Sequence, residues 1–316
     1  MRKNIISFLN MKGGVCKTTL CKEMAFYLSE KENKKVLVID IDPQANCTQS
    51  YFEKFKIKQR YKKMKEKDNK EVNCNNEEIQ VDIIKIEEEL GIPSIQKVFT
   101  SNRAVFKNLK KEDVICELNE NLHIIPGDLN TVFMERSSGG QAEQTLVNFI
   151  KNLNLRNLYD YILIDCPPTY SFYTVSAILA SDFYLVPLVP DMYSILGLDL
   201  LERVVKDMRE IHSTHFEYKN IENLGVVFTK IPTSEKGSEG VLIRNMDVVK
   251  KADIFKGLYF FENNFKRAVK MEVLKLETFI LDREDSNLIE SLKGICEEFI
   301  SRVGAYNATD SGETSN

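Results

Sequence analysis

Apolar residues in this chain follow two different periods. Nearly continuous runs occupy 4–9, 35–40, 122–126, 160–165, 182–189, 224–229 and 257–261. Runs without polar alternation suit strands buried on both faces of a parallel sheet. Between them the spacing becomes helical. Leu20, Met24, Tyr27 and Leu28 share a face of Lys17 to Lys31; Leu198, Leu201, Val205 and Met208 share one of Leu198 to Ile211. Leu288, Leu292, Ile295 and Phe299 do the same from Ser286 to Val303, with Ser286 as a cap candidate. Alternating strand and helix predicts an α/β fold: a doubly wound, mostly parallel sheet flanked by helices, with ligands at the carboxyl ends of the strands. Two segments depart from this. Residues 53–92 lose the pattern, and Lys54 to Lys70 is lysine-rich with few large apolar residues; it reads as a solvated helix or a floppy excursion, or as a basic surface that touches DNA or a partner. Gly304 to Asn316 is small and polar, without Lys or Arg, and reads as a disordered tail.

Candidate chemistry sits where the apolar runs stop. Directly after Ile5 to Leu9, residues 10–19 read Asn-Met-Lys-Gly-Gly-Val-Cys-Lys-Thr-Thr, and a helical pattern follows. A strand, a glycine turn and a helix start form the setting of a phosphate-binding loop. Gly13 and Gly14 can bring bare N–H groups against phosphate oxygens, Lys17 can reach the terminal phosphates, and the Thr18 hydroxyl can sit on Mg²⁺. The common pattern G-x-x-x-x-G-K-[ST] is not met, because Met11 and Cys16 stand in place of its glycines. A second lysine, Lys12, precedes the glycine pair instead. A plain strand-to-helix turn would explain the glycines but not two lysines followed by two threonines. If position 16 needs φ above zero, its Cβ costs about 1–2 kcal/mol. Asp40 and Asp42, two apart at a strand end, should point to one side. Asp165 ends the buried run from Tyr161 to Ile164.

These residues carry a family resemblance. Lys-Gly-Gly-x-x-Lys-Thr resembles the deviant Walker A signature of the ParA/MinD branch of P-loop NTPases. Val-Leu-Val-Ile-Asp-Ile-Asp-Pro-Gln-Ala-Asn, from Val36 to Asn46, is similar to the ParA form of the second motif. Tyr-Ile-Leu-Ile-Asp-Cys-Pro-Pro, from Tyr161 to Pro168, is similar to its Walker B. The resemblance covers roughly 1–50 and 120–300 and points to ParA/Soj-type partition ATPases. It implies a single ATPase domain over 1–303, with 53–92 as an insertion, and ATP and Mg²⁺ as cofactors. The nucleotide would be held by Lys12, Gly13, Gly14, Val15, Cys16, Lys17, Thr18, Thr19 and Asp40, with polar help from Gln44 and Asn46. Thr229, Lys230 and Pro232 would meet the base. Thr18 and Asp165 would serve the metal, Asp165 through a water. Lys12, Lys17 and Asp42 would be catalytic, Asp42 by positioning or polarising the attacking water. Lys12 would cross a dimer interface to the phosphates of the other subunit. Lys266, Arg267 and Lys270 would contact DNA. The function implied is partition of a plasmid or chromosome: the chain dimerises on ATP, coats DNA without sequence preference, and is reset by hydrolysis stimulated by a ParB-like centromere-binding protein. It would be cytoplasmic, and nucleoid-associated when ATP-bound. The alternatives are a MinD-like membrane-cycling regulator, an iron–sulfur carrier of the same superfamily, and a nucleotide-binding DNA scaffold with little turnover, which Cys16 keeps open.

Composition narrows these. With 316 residues and 43% hydrophobic positions the chain can build a sizeable core. Its formal net charge of −4 excludes a basic nucleic-acid coat, so any DNA contact must be a local patch. No run of about eighteen apolar residues offers a membrane span, and the N-terminus leads straight into a strand and functional loop, unlike a cleaved leader. MinD-like relatives end in a basic amphipathic helix, whereas this chain ends acidic and small, so no membrane partner is expected. The seven cysteines are scattered and unpaired in sequence, which suits reduced thiols in a cytoplasm rather than a cluster or disulfide frame. His123, His212 and His215 show no ligand spacing.

Overall fold

The computed structural model describes residues 2–67, 91–100, 109–129, 143–232, 239–267 and 277–312. Its strands are β1 (Ile5–Phe8), β2 (Val36–Asp40), β3 (Cys116–Glu117), β4 (Leu122–Ile125), β5 (Tyr161–Asp165), β6 (Phe183–Leu188), β7 (Glu222–Ile231) and β8 (Phe265–Lys266). They form an eight-stranded sheet in the order β3-β4-β2-β5-β1-β6-β7-β8. All pairs are parallel except the β3–β4 edge. Every residue of β1, β2, β4, β5 and β6 is buried, which is why those runs carry no polar alternation.

Helices of eight or more residues are α1 (Lys17–Glu30), α2 (Asn46–Phe55), α3 (Ile57–Lys67), α4 (Thr145–Asn152), α5 (Phe172–Ala180), α6 (Met192–Ile211), α7 (Glu239–Lys251) and α8 (Ser286–Gly312). They cover both faces of the sheet. Ile6, Val36, Val38 and Leu163 pack with Leu20, Met24 and Leu28 of α1 and with Leu292, Ile295 and Phe299 of α8. Ile5, Leu37, Ile39 and Ile162 face the other way, onto Phe149 of α4, Ile178 of α5 and Leu198, Leu201 and Val205 of α6. Alternate residues of one strand thus serve two cores. β1 lies between β5 and β6, so the chain leaves its carboxyl end at the crevice where the winding reverses.

Two segments differ from the sequence expectation. Residues 257–261 form no strand; Phe260 makes an isolated bridge to Val226, and the eighth strand lies later, at Phe265–Lys266. Two backbone bonds, Val226 N to Tyr259 O and Phe261 N to Val226 O, hold that crossing. The expected disordered tail is helical as far as Gly312: α8 continues past Val303, and Asn307 accepts from Lys3 N at 2.8 Å and donates to Lys3 O at 2.9 Å. Residues 313–316 lie outside the described ones. The lysine-rich segment begins as helix, α2 passing through left-handed Lys56 into α3, while 68–90 lie outside the described residues. Among the described residues, no helix is long and apolar enough to cross a membrane.

Candidate functional site

The loop from Asn10 to Cys16 joins the central strand to α1. Gly14 (φ 72) and Cys16 (φ 65) are both left-handed, which bends the loop back under the helix start. Cys16 occupies the N-cap of α1, and its carbonyl accepts the first helical bond from Leu20 N at 2.9 Å. Its positive φ meets the condition set by sequence, so the strain is real. Lys17 is buried and donates from Nζ to Lys12 O at 3.1 Å. Burial lowers its ammonium pKa, and Asp165 opposes that. Thr229 Oγ1 donates to Val15 O at 3.0 Å, tying β7 to the loop.

A cleft of about 450 Å³ opens beside this loop. That is within the roughly 300–1,000 Å³ of small-molecule sites. Gly13, Gly14, Cys16, Lys17, Thr18 and Thr19 form one wall; Asp42, Gln44, Asn46 and Pro168 form the side near β2 and β5. Lys230, Phe265, Lys266 and Arg267 form the far wall. Asp42 is nearly buried at the cleft's edge, with Oδ1 accepting from Gln44 N at 2.9 Å.

Asp165 is fully buried, and neither of its carboxylate oxygens has a partner of sound hydrogen-bond geometry. Burial, then the neighbouring Asp40, push its pKa well up, while the nearby Thr18 hydroxyl and Lys17 pull the other way. A divalent cation would relieve both the burial and the repulsion, so Asp165 with Thr18 fits Mg²⁺. Among the described residues no group of three His, Cys, Asp or Glu could cage an ion. Mg²⁺ keeps water and takes phosphate oxygens beside one or two protein ligands, so it needs no such cage.

Asp40 does not share Asp42's position. β2 ends at Asp40, so strand alternation does not extend to Asp42. Asp40 is fully buried and accepts from Thr48 N at 2.9 Å, Thr48 Oγ1 at 2.7 Å and Asp42 N at 3.2 Å. Thr48 Oγ1 in turn accepts from Gly127 N at 2.7 Å. Asp40 therefore anchors the start of α2 and lines no part of the cleft.

The residues expected at the base separate as well. Lys230, left-handed at φ 56, lines the cleft, whereas Thr229 is spent on Val15 and Pro232 is buried away from it. Lys266 and Arg267 belong to the far wall of this cleft, where Arg267 N donates to Ile231 O at 2.8 Å. Lys270 lies outside the described residues. Lys12 turns from the cleft to Asp191 and Ser194. Sequence reasoning missed Thr48, Gly127, Asp191, Ser194 and Phe265. Only Asp191-x-x-Ser194 ahead of an apolar run carried a readable signal, that of a helix cap.

A family model described as "AAA domain" matches residues 3–218. A virulence plasmid ParA family protein of Chlamydia psittaci is 28% identical over 228 residues, 71% of this chain and 68% of its own. The chromosome partitioning protein ParA of Caulobacter vibrioides is 25% identical over 240 residues, 75% of this chain and 73% of its own. The structure of a putative plasmid partition protein from Borrelia burgdorferi, bound to AMPPNP, superposes with a TM-score of 0.64 at 21% identity, covering 96% of this chain and all of that one. With the phosphate loop, the second lysine and the buried Asp165 at one crevice, the chain belongs to the AAA-domain family as a ParA-type P-loop ATPase.

Proposed function

We propose that this chain is a Mg²⁺-dependent ATPase of DNA partition that dimerises on ATP, binds DNA without sequence preference and is reset by hydrolysis. The observation that carries the reading is the convergence of Lys17, Thr18 and Asp42 on one cleft, with Asp165 buried behind it and Lys12 on the same loop. Phosphoryl transfer asks for positioning and charge neutralisation more than covalent help. The loop N–H groups and Lys17 hold the phosphates, and Asp42 orients the attacking water. Mg²⁺ bound by Thr18 and Asp165 would neutralise developing phosphate charge. Lys230, Lys266 and Arg267 hold the nucleotide's other end.

The dimer reading draws on α6. Tyr193, Leu196 and Leu200 are 75%, 61% and 51% exposed and recur at helical spacing on one face, beside Lys12. A contiguous apolar stripe on a charged molecule suits a self-complementary two-fold contact. For DNA, Lys266 and Arg267 are committed to the cleft wall, so we assign the phosphate contact to Lys58, Lys62 and Lys63 of α3, adjoining Lys54 and Lys56. A ParB-like protein bound at a centromere site would stimulate hydrolysis.

Lys17→Ala should abolish ATP binding, and Asp42→Ala should retain binding but stop turnover, both followed by titration calorimetry and phosphate release. Unchanged turnover in the two variants would sink the site. Charge reversal of Lys62 and Lys63 should weaken ATP-dependent DNA binding and flatten its salt dependence by about two phosphate contacts. If instead Lys266→Ala with Arg267→Ala removes DNA binding while ATP affinity holds, the DNA surface lies at the cleft wall.

A further inference from the structure

Lys12 is held by its own chain. Its Nζ donates to Asp191 Oδ1 at 2.8 Å, to Asp191 Oδ2 at 2.7 Å and to Ser194 Oγ at 3.1 Å. The Tyr193 ring lies 5.7 Å away. Asp191 is also the N-cap of α6, with Oδ1 accepting from Ser194 N at 2.7 Å. Burial works against its charge, but bonds from Lys12 and Ser194 outweigh it and hold the carboxyl below its usual range. The backbone is fixed on the same framework. Lys12 N donates to Asn10 Oδ1 at 2.9 Å, and Asn10 Nδ2 donates to Pro187 O at 2.8 Å. Gly197 lets α6 come this close: a Cβ there would lie 3.1 Å from Asn10 Oδ1 and 3.5 Å from Lys12 Cβ.

We propose that Asp191 and Ser194 are positioning residues for Lys12, a latch that keeps the lysine in its own chain until a second copy and its nucleotide compete for it. The inference rests on the ATP-dimer reading above. One ammonium cannot sit on Asp191 and on another chain's phosphates at once. Release exchanges a single carboxylate for a polyphosphate, so the lysine is never stripped of an anion and the barrier to exchange stays modest. The latch lies at the first turn of α6, the helix that carries Tyr193, Leu196 and Leu200. Docking through that stripe therefore brings the competing phosphates to the element that holds the lysine. The latch raises the concentration needed for dimerisation, and after hydrolysis it recaptures Lys12 and favours separation.

The test uses Asp191→Asn in the full chain, because asparagine keeps a capping oxygen for Ser194 N–H and removes the charge. In nucleotide-free protein, acylation of Lys12 by an amine-reactive ester, read by mass spectrometry, should be faster in the variant. With ATP and Mg²⁺, light scattering should find half-dimerisation at about three- to tenfold lower protein concentration. In Lys12→Ala with Asp191→Asn that gain should vanish. Unchanged labelling, an unchanged or weaker dimer, or a gain that survives without Lys12 would each overturn the latch. If labelling rises while neither wild type nor variant dimerises at saturating ATP, the dimer reading falls, and the latch's role falls with it.

Discussion

Cys16 carries a side chain through a backbone conformation that glycine adopts freely, at φ 65. The loop needs this turn so that Lys17 and Thr18 reach the cleft together, and the Cβ costs about 1–2 kcal/mol. Cys16→Gly should therefore raise stability by about 1 kcal/mol, the strain relief less the added freedom of the unfolded chain. It should also widen the cleft beside the phosphates and speed turnover. Among the described cysteines Cys16 alone is partly exposed; Cys21, Cys47, Cys116, Cys166 and Cys296 are buried. An alkylating reagent should thus block ATP binding in the wild type and leave Cys16→Gly active. Urea midpoints and turnover with and without the reagent check this; equal midpoints and equal sensitivity would make Cys16 a neutral replacement. The identity of this residue was legible as a departure from the motif. Its conformation was not, because φ depends on how the loop closes under α1.

At the scale of elements, the crossing of residues 257–261 over β7 depends on one glycine. Gly225 has φ +147, and a Cβ there would meet Phe261 Cε2 at 2.7 Å and Tyr259 Cδ1 at 3.0 Å. It also sits where the β6–β7 register shifts, paired with Leu185. Gly225→Ala combines an unfavourable φ with a ring overlap and should cost about 2–4 kcal/mol. Thermal unfolding would register the loss, and a variant within 0.5 kcal/mol of wild type, the ordinary surface range, would refute the packing argument. This glycine also explains an unmet expectation. Leu258 to Phe261 has the composition of a strand, but its aromatics pack on bare Gly225 backbone, so the chain crosses β7 at a bridge instead of running along it. Strands β1, β2, β4, β5 and β6 were legible because burial on both faces leaves uninterrupted apolar runs; the two-residue edge strand β3, whose Glu117 is exposed, was not. The start of α6 was not, since the apolar face begins at Leu198 whereas the cap is Asp191, seven residues earlier. The extension of α8 was not legible either: Asn307 is polar, and its bonds to Lys3 tie this turn to the chain just ahead of β1.

Across the molecule, α1 is fastened behind the phosphate loop by a buried carboxyl group that the sequence does not advertise. Glu23, on α1 beyond the phosphate loop, is buried and accepts from Ile280 N at 2.9 Å, fastening the segment that leads to α8. Lys22 lies over the Phe279 ring, while Lys54 pairs with Asp282 at 2.6 Å and stacks on Phe26 and Phe279. Burial raises the Glu23 carboxyl from 4.5 to about 7, and the nearby charges of Lys22 and Arg283 only partly oppose it. The folded chain therefore keeps a proton that the unfolded chain has already released between those two values. Stability must fall as pH rises through that window and level off above about 7. The loss across the window is on the order of 3 kcal/mol. Glutamine keeps an acceptor for Ile280 N–H and cannot ionise. Glu23→Gln should thus match the wild type near pH 4.5, where the carboxyl is protonated when folded, and exceed it in stability at pH 8. Urea unfolding at both pH values decides it: a difference between the two proteins that stays constant with pH would move the titration to another group, and a variant weaker at pH 8 would mean that the ionised carboxylate itself holds α1 to this segment.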